Sequence, residues 1–225
     1  MTVLELETTQ GQIRVPVRRV FNAGFTGRDS TKVQAHVTEL ADLGVRPPQQ
    51  VPTLYPLASH LVQQVSTVEV PHTRTSGEAE WALVIDDEPM DPWLTVASDH
   101  TDRELEVHDI ACSKQVVPNV IGRTAWRLSS LDVDAMTLRA WVSNSGPEML
   151  IQSGGLNGML PPAYWLDQLR DHGWLERGTV LLGGTIPMDP NVDPFASKWR
   201  VELATAEGDT STVQYRCDRL PDPWN

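Results

Sequence analysis

The stretch Ser76-Gly77-Glu78-Ala79-Glu80-Trp81-Ala82-Leu83-Val84-Ile85 decides how this chain is read. Its second half is continuously apolar, so the strand it predicts heads into a core. Its first half carries two glutamates two positions apart. A β-strand repeats every second residue, which puts both carboxylates on one face. Two carboxylates on one face repel each other, modestly in water and more when buried. A divalent cation removes that cost, and carboxylate oxygens suit a hard ion such as Mg²⁺, Mn²⁺ or Ca²⁺. A solvated strand face carries the same pair without an ion, so the neighbouring sequence has to separate the two readings. Asp87-Glu88-Pro89 predicts a turn and residues 93–98 a further strand. A hairpin of that kind returns the chain and brings Asp99 to the end where Glu78 and Glu80 stand.

Residues 98–109 hold Asp99, Asp102, Glu104, Glu106 and Asp109 with one cation, Arg103. An acidic run reads as a solvated face. This one lies between apolar strands and just before Lys114, which weakens that reading and leaves both it and a site open. His100 adjoins Asp99 and is placed at the edge of that site. A second feature is His36-Val37-Thr38-Glu39. On a helix, positions i and i+3 share a face, so the Glu39 carboxylate reaches the His36 imidazole. Such a pair fixes a tautomer and raises basicity, as a general base requires. On an ordinary helix surface the same pair is a weak contact. Gly183-Gly184-Thr185 follows a predicted strand and suits either an ordinary turn or close approach of a ligand.

The remaining sequence predicts short β-elements. Residues 2–9 and 12–21 read as a hairpin about Gln10-Gly11. Asp29 or Ser30 caps a helix running to about Leu43, with Gly44 as its stop and Pro47-Pro48 beyond. Strands are expected at 65–71, 80–86, 93–98, 138–143, 149–152, 179–182, 198–204 and 212–217, with a short helix over 161–172. The 17 Pro, 15 Gly and 8 Trp argue against a helical bundle. The fold class is mainly β with a few short helices, an α+β chain, and no interior linker divides it. One domain spans 1–225, with an N-terminal hairpin over 1–22 and a helix over 29–44.

The 225 residues carry 18 Lys and Arg against 30 Asp and Glu, a net charge of −12. That field repels phosphate backbones and excludes a nucleic-acid partner. No apolar stretch reaches the ~20 residues of a membrane-spanning helix. With no basic segment followed by an apolar one at the N-terminus, a cytoplasmic protein is expected. Cys112 and Cys217 have no zinc or disulfide spacing and are expected as free thiols. Dinucleotide, P-loop, zinc-protease and G-x-S-x-G signatures are absent from the sequence. The tryptophans share no period and read as core and interface anchors.

The order of these pieces resembles the fumarylacetoacetate hydrolase superfamily, in a short branch of it. The similarity runs from about Phe21 to about Pro187. Gly27-Arg28 and the helix with His36 and Glu39 are similar to that family's H-x-x-E lid. Glu78 and Glu80 match its E-x-E metal strand, and Ala97-Ser98-Asp99-His100-Thr101-Asp102-Arg103-Glu104 resembles its N-D-x-[ST]-A-R-D segment. Lys114 falls near the family's lysine. Gln152-Ser153-Gly154 and Gly184-Thr185-Ile186-Pro187 are similar to its Q-x-G and G-T-P elements. Departures fall at His100, Asp102, Glu104, Glu106 and Ile186, and the segment between Arg28 and His36 is longer.

The resemblance implies a mixed β-sandwich or β-roll and a divalent-metal enzyme, with Mg²⁺ the expected ion and Mn²⁺ or Ca²⁺ as alternatives. It implies Glu78, Glu80 and Asp99 as ligands and His36, Glu39 and Lys114 as catalytic residues. It further implies that Arg28, His100, Arg103, Gln152 and Thr185 bind substrate. The activity it implies is C–C bond hydrolysis in small 2-oxo or diketo acids of the acylpyruvate kind, by a homodimer whose interface exposed tryptophans would suit. A decarboxylase or tautomerase of a β-keto acid and a non-catalytic metal- or ligand-binding protein are the alternatives on this scaffold. Without the resemblance, a β-rich interaction module with an acidic surface remains.

Overall fold

A computed structural model of the chain describes residues 1–42, 48 and 50–222, without the side chains of residues 36, 39, 40 and 42. The N-terminal hairpin forms as expected from β1 (Val3–Thr8) and β2 (Gly11–Pro16), with Thr8 opposite Gly11 at the turn. The predicted second strand over 12–21 is two strands. The chain breaks at Val17-Arg18, whose backbone N–H groups donate to Thr2 O and Gly178 O. It restarts as β3 (Arg19–Gly24) in a different sheet. Helix α1 spans Ser30–Asp42, and Asp29 caps it by accepting from the N–H groups of Thr31 and Lys32. The predicted stop at Gly44 and the following Pro47 lie outside the described residues.

Short strands β4 (Thr53–Leu57), β5 (Val62–Gln63) and β6 (Thr67–Val70) lead to the two central strands, β7 (Thr75–Val84) and β8 (Trp93–Asp102). Both are longer than the sequence predicts. Beyond β8 lie two single-turn helices, α2 (Arg103–Glu106) and α3 (Ile110–Ser113). Asp102 caps the first and Asp109 the second, which accounts for part of the acidic run. Then come β9 (Asn119–Ile121), β10 (Trp126–Arg127), the expected hairpin β11 (Thr137–Ser143) and β12 (Met149–Gly155), helix α4 (Pro162–Asp171), β13 (Thr179–Thr185), β14 (Lys198–Ala204) and β15 (Thr210–Arg219).

An eight-stranded sheet in the order β4-β3-β13-β7-β8-β9-β5, with β10 on β8, packs against a five-stranded sheet in the order β12-β11-β14-β15-β6. Alternate residues of the central strands serve two cores. Ala79, Trp81 and Leu83 join Trp199, Val201 and Tyr215 between the sheets. Ala82, Val84, Trp93 and Ala97 face the other way, where the N-terminal hairpin covers them with Leu4, Leu6 and Val15. Burial on both faces explains why residues 81–85 are continuously apolar. No described tryptophan is exposed: residues 81, 93, 165 and 199 are buried and residues 126, 141 and 174 half-buried, so the exposed interface tryptophans expected from sequence are not found. Cys112 and Cys217 are free thiols. Among the described residues, no helix is long and apolar enough to cross a membrane.

Between the sheets lies a polar group around His100, which is fully buried. Its Nδ1 lies 2.9 Å from Tyr215 Oη and its Nε2 3.0 Å from Thr75 Oγ1, while Ser98 Oγ sits 2.8 Å from the same tyrosine oxygen. Burial, reinforced by the charge of Arg103, holds the imidazole down to about 3 against an ordinary 6.5. The unfolded chain therefore binds a proton there that the folded chain refuses. His100 is expected to cost stability as pH falls from about 6.5 towards 3, and His100→Gln should make that loss shallower in thermal melts taken across the window. Equal slopes for the two proteins would remove His100 from the acid response.

Candidate metal centre

Strand register builds the site. In the antiparallel β7–β8 pair Glu78 stands opposite Asp99, and Glu80 follows two residues along on the same face. One ligand oxygen from each of the three lies within 4.8 Å of the others. Asp99 and Glu80 are buried and Glu78 is half-buried, so the group opens outward at Glu78. The sequence-predicted triad is thus brought together, on the face that the hairpin covers further along the strands.

Four further elements hold it. On β3, Asn22 Nδ2 lies 3.4 Å from Glu80 Oε1 and 3.2 Å from Asp99 Oδ2. On β13, the register shifts between Leu182 and Thr185, and this bulge turns the N–H of Gly184 onto Glu80 Oε2 at 3.0 Å. Gly184 has φ 89°, and a Cβ there would stand 2.3 Å from Thr26 Oγ1, so glycine is required on both counts. The loop after α3 delivers Lys114, whose ammonium donates to Asp99 Oδ2. Arg103, the first residue of α2, bonds Ser76 Oγ at 2.7 Å and pairs with Glu106 at 2.8 Å and Glu78 at 3.1 Å.

Burial lifts Glu80 well above the usual carboxylate range, and the neighbouring Asp99 charge adds to it. Glu78 is also raised by burial, against the opposing charges of Arg103 and Lys114. Burial alone would lower the Lys114 ammonium, but Asp99, Glu78 and Glu80 outweigh it and hold it firmly protonated. Four carboxylates (Glu78, Glu80, Asp99 and Glu106) thus face two cationic side chains. The two unmatched negative charges, the all-oxygen donor set and its spacing fit a hard divalent cation.

The other residues expected at the site divide. His100 does not line it: adjacent strand residues point to opposite faces, and the imidazole is sealed between the sheets. Gln152 and Thr185 join the sheets. The Gln152 amide donates to Thr185 Oγ1 and Ile186 O and accepts from Ala79 N, while the Thr185 hydroxyl donates to Ala79 O. Neither has a free donor for a substrate carboxylate. Arg28 is held by Asp134 and by Met159 O, and no described contact joins it to the triad. The side chains of His36 and Glu39 lie outside the described residues. Sequence reasoning missed Asn22, whose signal is a polar residue inside the apolar run Val20-Phe21-Asn22-Ala23.

The family model described as a protein of unknown function, DUF2848, matches residues 23–215. No curated protein sequence matches the chain. Among solved structures the fold is similar to 2-keto-3-deoxy-D-arabinonate dehydratase complexed with magnesium and 2,5-dioxopentanoate, at 16% identity and a TM-score of 0.65, over 91% of this chain and 74% of that one. It is similar to 5-carboxymethyl-2-hydroxymuconate delta-isomerase from Mycobacterium smegmatis, at 15% identity and a TM-score of 0.62, over 99% of this chain and 100% of that one. A fumarylacetoacetate hydrolase family protein from yeast matches at 18% identity and a TM-score of 0.57, over 92% of this chain and 96% of that one. The fold is the one the sequence resemblance implied.

A carboxylate raised by burial costs the folded state its charge energy above the ordinary carboxylate range and regains it on protonation. Glu80→Gln is expected to raise the melting temperature of the metal-free protein at about pH 8, with the gain shrinking as pH falls towards 4.5. The same variant should lose the stabilisation given by added Mg²⁺. Differential scanning fluorimetry with and without Mg²⁺ reads both. An unchanged Mg²⁺ shift removes Glu80 from the ligand set.

Proposed function

The chain belongs to the DUF2848 family, and for this member we propose a divalent-metal-dependent enzyme that hydrolyses a C–C bond in a small 2-oxo or diketo acid of the acylpyruvate kind. The observation that carries this reading is the meeting of Glu78, Glu80 and Asp99 oxygens within 4.8 Å, with the Lys114 ammonium beside them. The neighbours named above as a dehydratase and an isomerase support enzyme status and a small oxo-acid substrate class.

Glu78, Glu80 and Asp99 hold the ion in this reading, with Mg²⁺ the first choice. A divalent cation there supplies an electron sink and a template for a 2-oxo carboxylate. The chain's own groups do the rest. Lys114, kept protonated by its acidic neighbours, offsets the negative charge of an incoming oxo acid, which the protein's net charge of −12 otherwise repels. Arg103 adds positive charge at the half-buried end, between Glu78 and Glu106. In this reading His36, with Glu39 three residues on in the sequence, is the group that takes a proton from water. The hydroxide so formed adds to the acyl carbonyl, the C–C bond breaks, and its electron pair passes to the 2-oxo fragment, which then takes up a proton.

The deciding experiment is a panel of acylpyruvates, fumarylpyruvate-like diketo acids and oxaloacetate, assayed with and without Mg²⁺. Mg²⁺-dependent release of a carboxylic acid and a 2-oxo acid is expected, falling roughly 10²-fold or more in His36→Ala with metal binding retained. Full activity in His36→Ala would remove His36 as the base and make helix α1 a bystander. Absence of any divalent-dependent turnover across the panel would sink the enzyme reading.

A further inference from the structure

Asn22 stands on β3 in line with Val20, so its side chain falls on the face that carries the acid group. It is 1% exposed. Its amide nitrogen reaches two of the three carboxylates, at 3.4 Å and 3.2 Å, both beyond the usual 2.7–3.2 Å range or at its limit. The other end of the amide is anomalous. Oδ1 is buried with no hydrogen-bond partner among the described residues, whereas buried amide oxygens in folded proteins almost always find a donor.

We propose that Asn22 is a ligand of the metal centre, its amide turning half a revolution about the terminal torsion when a divalent cation is bound so that Oδ1 becomes a neutral fourth protein oxygen. This rests on the metal-enzyme reading above. Without a cation, two carboxylates demand a donor, so Nδ2 faces them and Oδ1 is left alone. A cation among the carboxylates reverses the preference: it repels the amide hydrogens and attracts the amide oxygen. One group with two orientations then accounts for both the long donor contacts and the orphaned oxygen. The terminal torsion of asparagine is broad and nearly two-fold, so the exchange needs no movement of β3. Side-chain carbonyl oxygens are ordinary ligands of hard cations. A neutral ligand also completes the donor set without adding a further negative charge to Glu78, Glu80 and Asp99.

Mn²⁺ binding tests the assignment, read by isothermal titration and by anomalous diffraction from Mn²⁺-soaked crystals. Asn22→Ala is expected to weaken Mn²⁺ binding roughly tenfold to a hundredfold. Asn22→Asp, which keeps an oxygen at that position, should bind at least as tightly as the parent. In the crystal, Mn²⁺ should sit within about 2.5 Å of Asn22 Oδ1. Parental affinity in Asn22→Ala overturns the proposal, as does a crystal in which Mn²⁺ is held by the carboxylates with the amide turned away. Should Asn22→Ala fail to fold, Asn22→Asp and the crystal still decide. Absence of Mn²⁺ binding by the parent protein is a separate outcome that removes the metal-enzyme reading along with this one.

Discussion

The register of β7 against β8 is the constraint on which the rest of the structure depends. Glu78 opposite Asp99 places carboxylates from two remote stretches on one face, and Gly77 opposite His100 places the next pair on the reverse face. The faces are not interchangeable. One is the inner surface of a sandwich, where His100, Tyr215, Ser98 and Thr75 satisfy one another in a closed polar group. The other opens past the hairpin. A slip of one residue would drive a carboxylate into the sandwich and an imidazole into the acid group, since side chains alternate with period two. The apolar halves of the strands prevent that slip: Trp81 and Leu83 belong to one core, Ala82 and Val84 to the other, and both cores are filled.

Holding three carboxylates this close is unfavourable for a folded chain. Like charges within 4.8 Å of one another repel by about 3 kcal/mol or more at an effective dielectric of about 20. The structure answers with donors from four separate elements: Asn22 from β3, Gly184 N from β13, Lys114 from beyond α3 and Arg103 from the start of α2. Glu78 and Glu80 nevertheless both remain raised in their affinity for protons, through burial first and, for Glu80, through the Asp99 charge next. A surface that only had to be soluble would have spread such charges apart. Stability given up locally, with compensation drawn from several strands, is the pattern of a site kept for binding or chemistry.

Much of this was legible in the sequence, and the limits have physical causes. Glu78 and Glu80 were readable because period two is a local rule. Asp99 was readable because a turn at residues 87–89 returns the strand to the same end. His100 was misread because nearness in sequence was taken for nearness in space, whereas in a strand the adjacent residue is the one that points away. The internal partners of Gln152 and Thr185, which include Ala79 on β7, were not legible, because they come from elements remote in sequence. Asn22 was missed for the same reason in reverse. Its role depends on β3 lying beside β13 and β13 beside β7, a parallel pairing that no local pattern encodes. The strands β5, β9 and β10 are two or three residues long and carry too little sequence to show a period.

Why the site lies at this end of the sheet follows from how the outer face is covered. Along that face the side chains run from Val84, Ala82 and Leu182 to Glu80, Glu78 and Asp99, apolar under the hairpin and acidic past it. The change occurs at the β13 bulge. There Gly183 lets the Trp81 indole lie against the backbone, where a Cβ would come within 2.0 Å of the ring, and Gly184 turns its N–H to Glu80. Trp81 fills the sandwich core on one side of the sheet while Glu80 enters the acid group on the other. A single irregularity in β13 therefore serves both the last layer of the core and the first donor of the site. The packing that stabilises the fold and the geometry that gathers the carboxylates are coupled through those two glycines, so neither can be altered there without disturbing the other.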